Sequence, residues 1–174
     1  TEDAFNVVAE IPGTKKAREV IMLGAHIDSW RSATGAMDNA AGCAIGMEAI
    51  RILKTLNLPM ERTVRLVLWG GHEQGGLGSD NYIKEHFGDA GARTLKPAHG
   101  QLCAYFNIDA GGGKVVGLSV QDNHLMKPIV ERWLAALRAL GVVEVDPNRY
   151  YEHDIRNFER VGLNVLHFRQ SGGD

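Results

Sequence analysis

The sequence has little of what marks several classes of protein. Its net charge is only −2, which gives no electrostatic case for binding nucleic acid or an anionic membrane. No apolar run approaches the ~20 residues that a membrane-spanning helix needs. There is also no Asn-x-Ser/Thr site for glycosylation. We therefore expect neither nucleic acid nor a membrane as a partner.

Cysteines are scarce as well. The chain has two, Cys43 in a helical apolar stretch and Cys103 at the start of a strand-like one. Free cysteines in such surroundings usually behave as small buried hydrophobic residues. We therefore expect both to be buried rather than joined in a disulfide, and the redox compartment stays undetermined.

What the sequence does contain is ordinary for a globular domain. Apolar residues make up 44% of the chain and charged residues 23%. Because a domain takes about 100–200 residues, a chain of 174 has room for one core. We predict a single domain over residues 1–174. Since the chain begins with Thr1 and not Met, we also expect that a preceding segment has been removed.

Apolar runs alternate between the patterns of strands and helices. Near-continuous runs at 20–26, 63–69 and 102–108 are typical of strands covered on both faces. Further strands are predicted at 5–11, 115–120, 142–145 and 163–168, with helices at 39–55, near 79, at 125–140 and at 155–160, and a loop at 88–100. This order predicts an α/β fold, a three-layer α/β/α sandwich with a largely parallel or mixed central sheet.

Residues able to bind metal ions stand where the predicted strands end. A predicted strand ends at or shortly before three positions: His26 with Asp28, Glu73, and Asp109. In sheets of this type, ligands bind outside the carboxyl ends of the strands. Asp38 precedes a predicted helix, so its simplest alternative role is an N-cap. Carboxylates gathered at one point repel one another, and burying them costs several kcal/mol unless cations compensate. Two divalent ions bridged by one carboxylate would resolve this repulsion.

The segment 70–79, GGHEQGGLGS, is the most distinctive stretch of the chain. Its glycines let the backbone approach a compact centre closely. It lacks the Lys-Ser/Thr ending of a phosphate-binding P-loop, and Gly111 to Gly113 follow a strand without opening a helix. Neither stretch therefore indicates a nucleotide-binding loop.

Four motifs occur in order: GAHIDSW (24–30), GAMDNAAG (35–42), RLVLW followed by GHEQGGLGS (65–79), and FNID (106–109). Together they resemble the zinc aminopeptidase and carboxypeptidase Q family, whose peptidase domain is shared with the transferrin receptor. The resemblance implies that His26 and Asp109 bind one zinc ion, Glu73 binds a second, Asp38 bridges the two, and Asp28 orients His26. It also implies a zinc-exopeptidase-like fold, a peptide or dipeptide substrate and a secreted or periplasmic location.

One departure from the family falls at position 72. The family has two consecutive acids where this chain has His72 followed by Glu73, and the first acid is the general base that activates water. An imidazole can accept a proton, but next to two zinc ions it should do so less readily than a carboxylate. Losing a general base costs a factor of about 10² to 10⁴ in rate. We therefore expect His72 to be a weak catalytic proton acceptor.

A second departure concerns the ends of the chain. The family's last zinc-binding histidine is expected after the strand near Phe168, and its first strands and helix before Thr1, yet neither is found. The zinc held by Glu73 would then have two ligands from the chain. We expect the site of His26, Asp38 and Asp109 to be the more complete one.

Three hypotheses follow. The first is a zinc-dependent exopeptidase with impaired turnover, in either the amino- or the carboxypeptidase direction. The second is a catalytically silent binding or scaffold module, and the third is a truncated fragment of an active enzyme. Asp154 matches an acidic position of the family, His153 is a candidate substitute ligand, and Trp30 a candidate pocket residue. The remaining histidines are expected to be solvated: His86, His99, His124 and His167.

Overall fold

A computed structural model describes residues 5–109 and 111–172. Its strands are β1 (Val7–Ile11), β2 (Lys16–His26), β3 (Arg62–Trp69), β4 (Gly88–Asp89), β5 (Thr94–Leu95), β6 (Leu102–Asn107), β7 (Val115–Ser119), β8 (Glu144–Asp146) and β9 (Val165–Gln170). Its α-helices are α1 (Ala41–Leu56), α2 (Leu77–His86), α3 (Lys127–Leu134) and α4 (His153–Arg160).

Seven strands form one mixed sheet in the order β1-β3-β2-β6-β9-β7-β8. The four central strands β3, β2, β6 and β9 run parallel, whereas β1 is antiparallel to β3 and β7 is antiparallel to β9. The expected α/β fold with a mixed central sheet is therefore confirmed. Because the central strands are parallel, their carboxyl ends lie along one edge.

Helices cover both faces of this sheet. Along β3, Val67 and Trp69 belong to a core cluster that includes residues of α2 and α4, whereas Leu66 and Leu68 pack with Cys43 of α1. The alternation follows from the period of two in strand side chains. On the remaining part of the sheet, α3 contributes to a third cluster with β7 and β9. The result is a three-layer arrangement with the sheet in the middle.

Several element boundaries differ from the prediction. β2 begins at Lys16, because its polar first residues pair with β3 around a bulge between Lys16 and Val20 without an apolar pattern to reveal them. The predicted helix at 125–140 is an α-helix only over Lys127–Leu134, and Ala135–Leu140 continue as a 3-10 helix. The predicted loop at 88–100 contains the short antiparallel ribbon of β4 and β5.

The two cysteines are both free, but only one is buried as expected. Cys43 lies in α1, where its Sγ–H donates to the His26 carbonyl oxygen at 3.0 Å. Cys103 is exposed, so the prediction for it was wrong. Its side chain points away from those of Leu102 and Ala104, which are buried, because neighbours on a strand face opposite sides. Within the described ranges, none of the helices has the length and apolar character that crossing a membrane requires.

Candidate metal centre

Two adjacent parallel strands bring His26 and Asp109 together. β2 ends at His26 and β6 ends at Asn107, and Gly24 of β2 pairs with Asn107. The His26 Nε2 atom lies 3.0 Å from Asp109 Oδ1 and 2.9 Å from Asp38 Oδ1. His26 and Asp109 are buried, whereas the side chain of Asp38 is 49% exposed. Asp38 belongs to the turn before α1, and its peptide bond to Asn39 is cis.

Asp28 contacts His26 through its backbone oxygen and not, as expected, through its carboxylate. The His26 Nδ1–H donates to the backbone oxygen of Asp28 at 3.0 Å, while the Asp28 carboxylate is 3.6 Å away. That carboxylate instead accepts the backbone N–H groups of His72 and Glu73, each at 3.0 Å. Asp28 therefore orients His26 through its carbonyl group and fixes the glycine-rich loop through its side chain. Because the Asp28 carbonyl oxygen holds the Nδ1 proton, Nε2 is the ring atom that would bind a metal ion in place of its own proton.

The loop that carries His72 and Glu73 depends on glycines. Gly71 and Gly76 have φ values of 68° and 70°, a left-handed conformation that costs other residues about 1–2 kcal/mol. These turns lead the chain from the end of β3 into α2. The loop thereby returns towards the sheet and places His72 and Glu73 beside the end of β2.

His72 is held from the opposite side by α4. Its Nδ1–H donates to Asp154 Oδ2 at 2.9 Å, and its ring stacks on that of His26 with centroids 4.0 Å apart and planes within 8°. Asp154 also accepts a hydrogen bond from Ser79 Oγ at 2.5 Å, and Ser79 Oγ accepts one from Asn157 Nδ2 at 2.9 Å. Sequence reasoning noted the acid at 154 but missed its pairing with His72. The available signal was an imidazole at position 72, where the resemblance implies an acid.

Electrostatic effects in the cluster are strong. Burial disfavours the charge on His26, but its contacts with Asp109 and Asp38 outweigh burial and raise its pKa to about 9. For His72, burial likewise opposes charge, and the bond to Asp154 prevails and raises the pKa. The pKa of Glu73 is raised by burial and by the negative charge of Asp38. These pKa shifts apply to the protein without bound cations, in which the nearby carboxylates stabilise the protonated imidazoles.

The donor set fits zinc. His26, His72 and Asp109 form one group in which a ligand atom of each lies within 4.8 Å of the others, and His26, Asp38 and Glu73 form a second. Asp109 Oδ2 and Glu73 Oε1 are buried and have no hydrogen-bond partner. Imidazole nitrogen and carboxylate oxygen are the ligands of catalytic zinc sites. Cations between these groups would provide partners for both oxygens.

The other candidate residues lie around this cluster. The His153 ring is 5.4 Å from that of His72, but neither metal group among residues 5–109 and 111–172 includes it. Burial and the charge of His72 lower the pKa of His153. His167 is buried on β9, with its Nδ1 3.4 Å from Asn107 Nδ2, so its predicted solvated position was wrong. Trp30 is 61% exposed.

The prediction that the histidines are solvated is wrong for His99 and confirmed for His124. His99 is half-buried and contacts the Val161 carbonyl oxygen at 2.7 Å, because the 3-10 helix before β6 packs against the end of α4. His124 is exposed, as expected.

Comparisons with known proteins identify curated relatives over much of the chain. Human carboxypeptidase Q is 35% identical over 143 residues, which is 82% of this chain and 28% of that protein. Leupeptin-inactivating enzyme 1 of Streptomyces exfoliatus is 28% identical over 164 residues, 92% of this chain and 34% of that protein. The chain thus spans about 28% of the length of carboxypeptidase Q.

Solved structures with the same architecture include a peptidase M28 precursor from Shewanella amazonensis SB2B. It is 32% identical with a TM-score of 0.79, over 96% of this chain and 36% of that one. A zinc aminopeptidase from Bacillus subtilis, 22% identical with a TM-score of 0.73 over 96% of this chain and 40% of that one, shows the same fold. Residues 6–174 match peptidase family M28, and the chain therefore belongs to that family.

Proposed function

We propose that this chain is a zinc-dependent exopeptidase domain that cleaves the terminal peptide bond of short peptides or dipeptides. The observation that carries the proposal is the convergence of acidic side chains on His26. Asp38 and Asp109 lie within 3.0 Å of its Nε2, and Glu73 is close by. Within residues 5–109 and 111–172, none of the three acids pairs with lysine or arginine. Divalent cations could neutralise these acids in place of the protons that the neighbouring imidazoles otherwise hold.

The residues present would hold up to two zinc ions. His26 and Asp109 would bind one, Glu73 the other, and Asp38 would lie between them. Bound zinc would polarise the scissile carbonyl and lower the pKa of coordinated water. Asp28 keeps the His26 tautomer and the backbone of the loop in place through the contacts described above. The peptidase family and its carboxypeptidase and aminopeptidase relatives support a peptide substrate.

Position 72 is the reason to expect impaired turnover. His72 donates its Nδ1 proton to Asp154, so only its Nε2 atom can accept a proton, and that atom faces Asp109 at 3.5 Å. A group confined between two acids and a stacked imidazole is poorly placed to take a proton from water and pass it to a leaving amine. Replacing it by the acid that the family uses should raise the rate by about 10² to 10⁴.

The test is hydrolysis of dipeptides with free ends, matched with N-acetylated and C-amidated versions, by zinc-loaded protein. We expect slow hydrolysis by the wild type, faster hydrolysis by His72→Glu and none by His26→Ala. The blocked peptides decide between amino- and carboxypeptidase direction. Absence of zinc-dependent hydrolysis in both the wild type and His72→Glu would refute the proposal.

A second candidate function is a catalytically silent module that binds peptides. The observation that favours it is the buried His72–Asp154 pair, because the resemblance implies a general base at position 72. The same assay separates the two functions. A silent module binds the peptides and zinc, but its His72→Glu variant stays inactive.

A further inference from the structure

We infer that Arg156 and Arg160 of α4 bind a carboxylate of the substrate, which makes acidic peptides the preferred substrate class. The inference rests on the proposed function, because it names a preference of the proposed exopeptidase. The carboxylate comes from either an acidic side chain or the far end of a short peptide. Three features of the structure carry the inference: a cationic cavity, the pairing of its charges, and its position along α4 from the metal centre.

The first feature is a surface cavity of about 310 Å³ beside α4. Three arginines line it together with Tyr151 and Glu159: Arg149, Arg156 and Arg160. Its guanidinium groups outnumber its carboxylate three to one, although the chain has a net charge of −2. Each guanidinium presents its N–H donors in a planar fork that matches the two oxygens of a carboxylate. The cavity is therefore suited to an anionic group.

The second feature is the way in which these charges are paired. Arg149 neutralises the acid of the cavity, because its Nη2 lies 3.0 Å from Glu159 Oε2 and its Nε–H donates to the same oxygen at 3.2 Å. In the part of the chain that the structure describes, neither Arg156 nor Arg160 forms an ion pair with an acid, and Arg160 donates to the Asn157 amide oxygen at 3.4 Å. Both arginines are exposed. Like charges four residues apart on a helix repel each other, and an anion between them removes this repulsion.

The third feature is the position of the two arginines relative to the metal centre. His153, Arg156 and Arg160 are spaced by three and four residues, so they lie on one face of α4. The His153 ring is 5.4 Å from that of His72, which precedes the proposed ligand Glu73. A helix advances about 5.4 Å per turn, and an extended peptide about 3.3–3.6 Å per residue. A substrate that leaves the centre along this face therefore brings its second or third residue beside the arginines.

The charges of the arginines also act at the near end of this face. Burial and the charge of His72 lower the pKa of His153, and the charges of Arg156 and Arg160 lower it further. The positive potential of the cavity thus extends to the side of the metal centre. An acidic group of the substrate is attracted along the same path that the peptide follows.

The experiment compares hydrolysis of matched tetrapeptides by zinc-loaded protein. Ala-Ala-Glu-Ala and Ala-Glu-Ala-Ala place the acid at the second residue from the cleaved bond, for cleavage from the amino and the carboxyl end respectively. The control peptides carry glutamine in place of glutamate. For the wild type we expect about fivefold higher kcat/KM with glutamate, mainly through KM, because exposed ion pairs contribute modestly. Salt at about 1 M should remove the preference, since it shortens the screening length to about 3 Å.

Arginine variants assign the preference to the cavity. Arg156→Gln and Arg160→Gln should each lower it to about twofold, and the double variant should abolish it. Because both residues are exposed, we expect the variants to fold, which thermal unfolding checks. Arg138→Gln, which removes an exposed arginine after α3, should keep the wild-type preference. Ala-Ala-Ala and its C-terminal amide test the other source, a free chain end, which the double variant should no longer distinguish.

The outcomes separate this inference from the proposed function. If the wild type hydrolyses acidic and neutral peptides equally, or if the double variant keeps the preference, the inference is overturned and zinc-dependent hydrolysis stands. If no peptide is hydrolysed, the proposed function fails, and calorimetric binding of the same peptides tests the arginines. Tighter binding of the acidic peptides by the wild type than by the double variant would then support their role. Equal or absent binding would overturn it.

Discussion

The two halves of the site differ in how the protein holds their side chains. The buried half consists of His26, His72, Asp109 and Asp154, whose side chains are at most 6% exposed. The outer half consists of Asp38, 49% exposed, and Glu73, which is partly exposed. In the buried half each imidazole has its Nδ1 proton fixed by an oxygen acceptor.

The difference indicates which side chains are already oriented for binding a metal ion. Side chains that are already oriented lose little conformational freedom when a ligand arrives, whereas exposed carboxylates must be ordered at that moment. Water also weakens the attraction of the outer carboxylates for cations. We therefore expect the buried half to determine affinity and the outer half to determine how much a second ion adds.

The largest expected effect comes from the packing beneath the buried half. Phe158 of α4 is fully buried, and its ring stacks on that of Tyr105 with centroids 4.0 Å apart. Phe158→Ala should lower the free energy of unfolding by about 3–5 kcal/mol, because it leaves a cavity between α4 and the sheet. Urea unfolding measures the change. Phe158→Leu is the milder control, and a loss below about 1 kcal/mol for Phe158→Ala would contradict the description of this core.

The next effect separates the two halves directly. His26→Ala should weaken binding of the first zinc ion by more than about 100-fold, since losing even an indirect partner of a ligand costs 10–100-fold. Glu73→Ala should change the first dissociation constant by less than about tenfold, since Glu73 belongs to the outer half. Calorimetric titration measures both. Two equally tight zinc ions in the wild type, or unchanged binding by His26→Ala, would remove the distinction between the halves.

A smaller effect concerns the loop that joins the halves. A Cβ at Gly76 would lie 2.8 Å from the His153 Cβ atom and from Asn157 Nδ2, and its φ is 70°. Gly75, with a φ of 106°, has open space around it. Both alanine variants carry backbone strain of about 1–3 kcal/mol, and Gly76→Ala should lose roughly 1 kcal/mol more because of the clash. Thermal unfolding of the two variants measures the difference in stability. Equal losses of stability would show that α4 shifts at little cost in free energy.

The smallest effect compares the two thiols and leaves stability unchanged. Burial, with the nearby charges of Asp109 and Asp28, raises the pKa of Cys43 to about 11, while Cys103 is exposed. Since the thiolate is the reactive form, a thiol reagent should modify one cysteine in the folded protein and two in denaturant. Cys103→Ser should abolish labelling of the folded protein. Rapid labelling of that variant would show that the layer around His26 opens easily.

The sequence predicted much of the site because the ends of strands can be recognised where apolar runs stop. Apolar runs ending at His26 and near Asp109, with the glycine-rich loop after β3, placed the candidate ligands at one edge of a parallel sheet. The structure brings His26, Asp38, Glu73 and Asp109 together as this pattern indicated. The elements that escaped prediction, such as the first residues of β2 and the ribbon of β4 and β5, lack an apolar period.

By itself, the sequence determined the alternation of strands and helices and the edge at which the candidate ligands collect, while it left open whether the sheet is largely parallel or mixed. These depend on local patterns that a strand or helix imposes on its own residues. Only the tertiary structure decided that His72 meets Asp154, 82 positions away, and that Asp28 holds His26 through its carbonyl oxygen. Such contacts follow from how α4 packs on the sheet and how the loops turn, and no period in the chain encodes those placements.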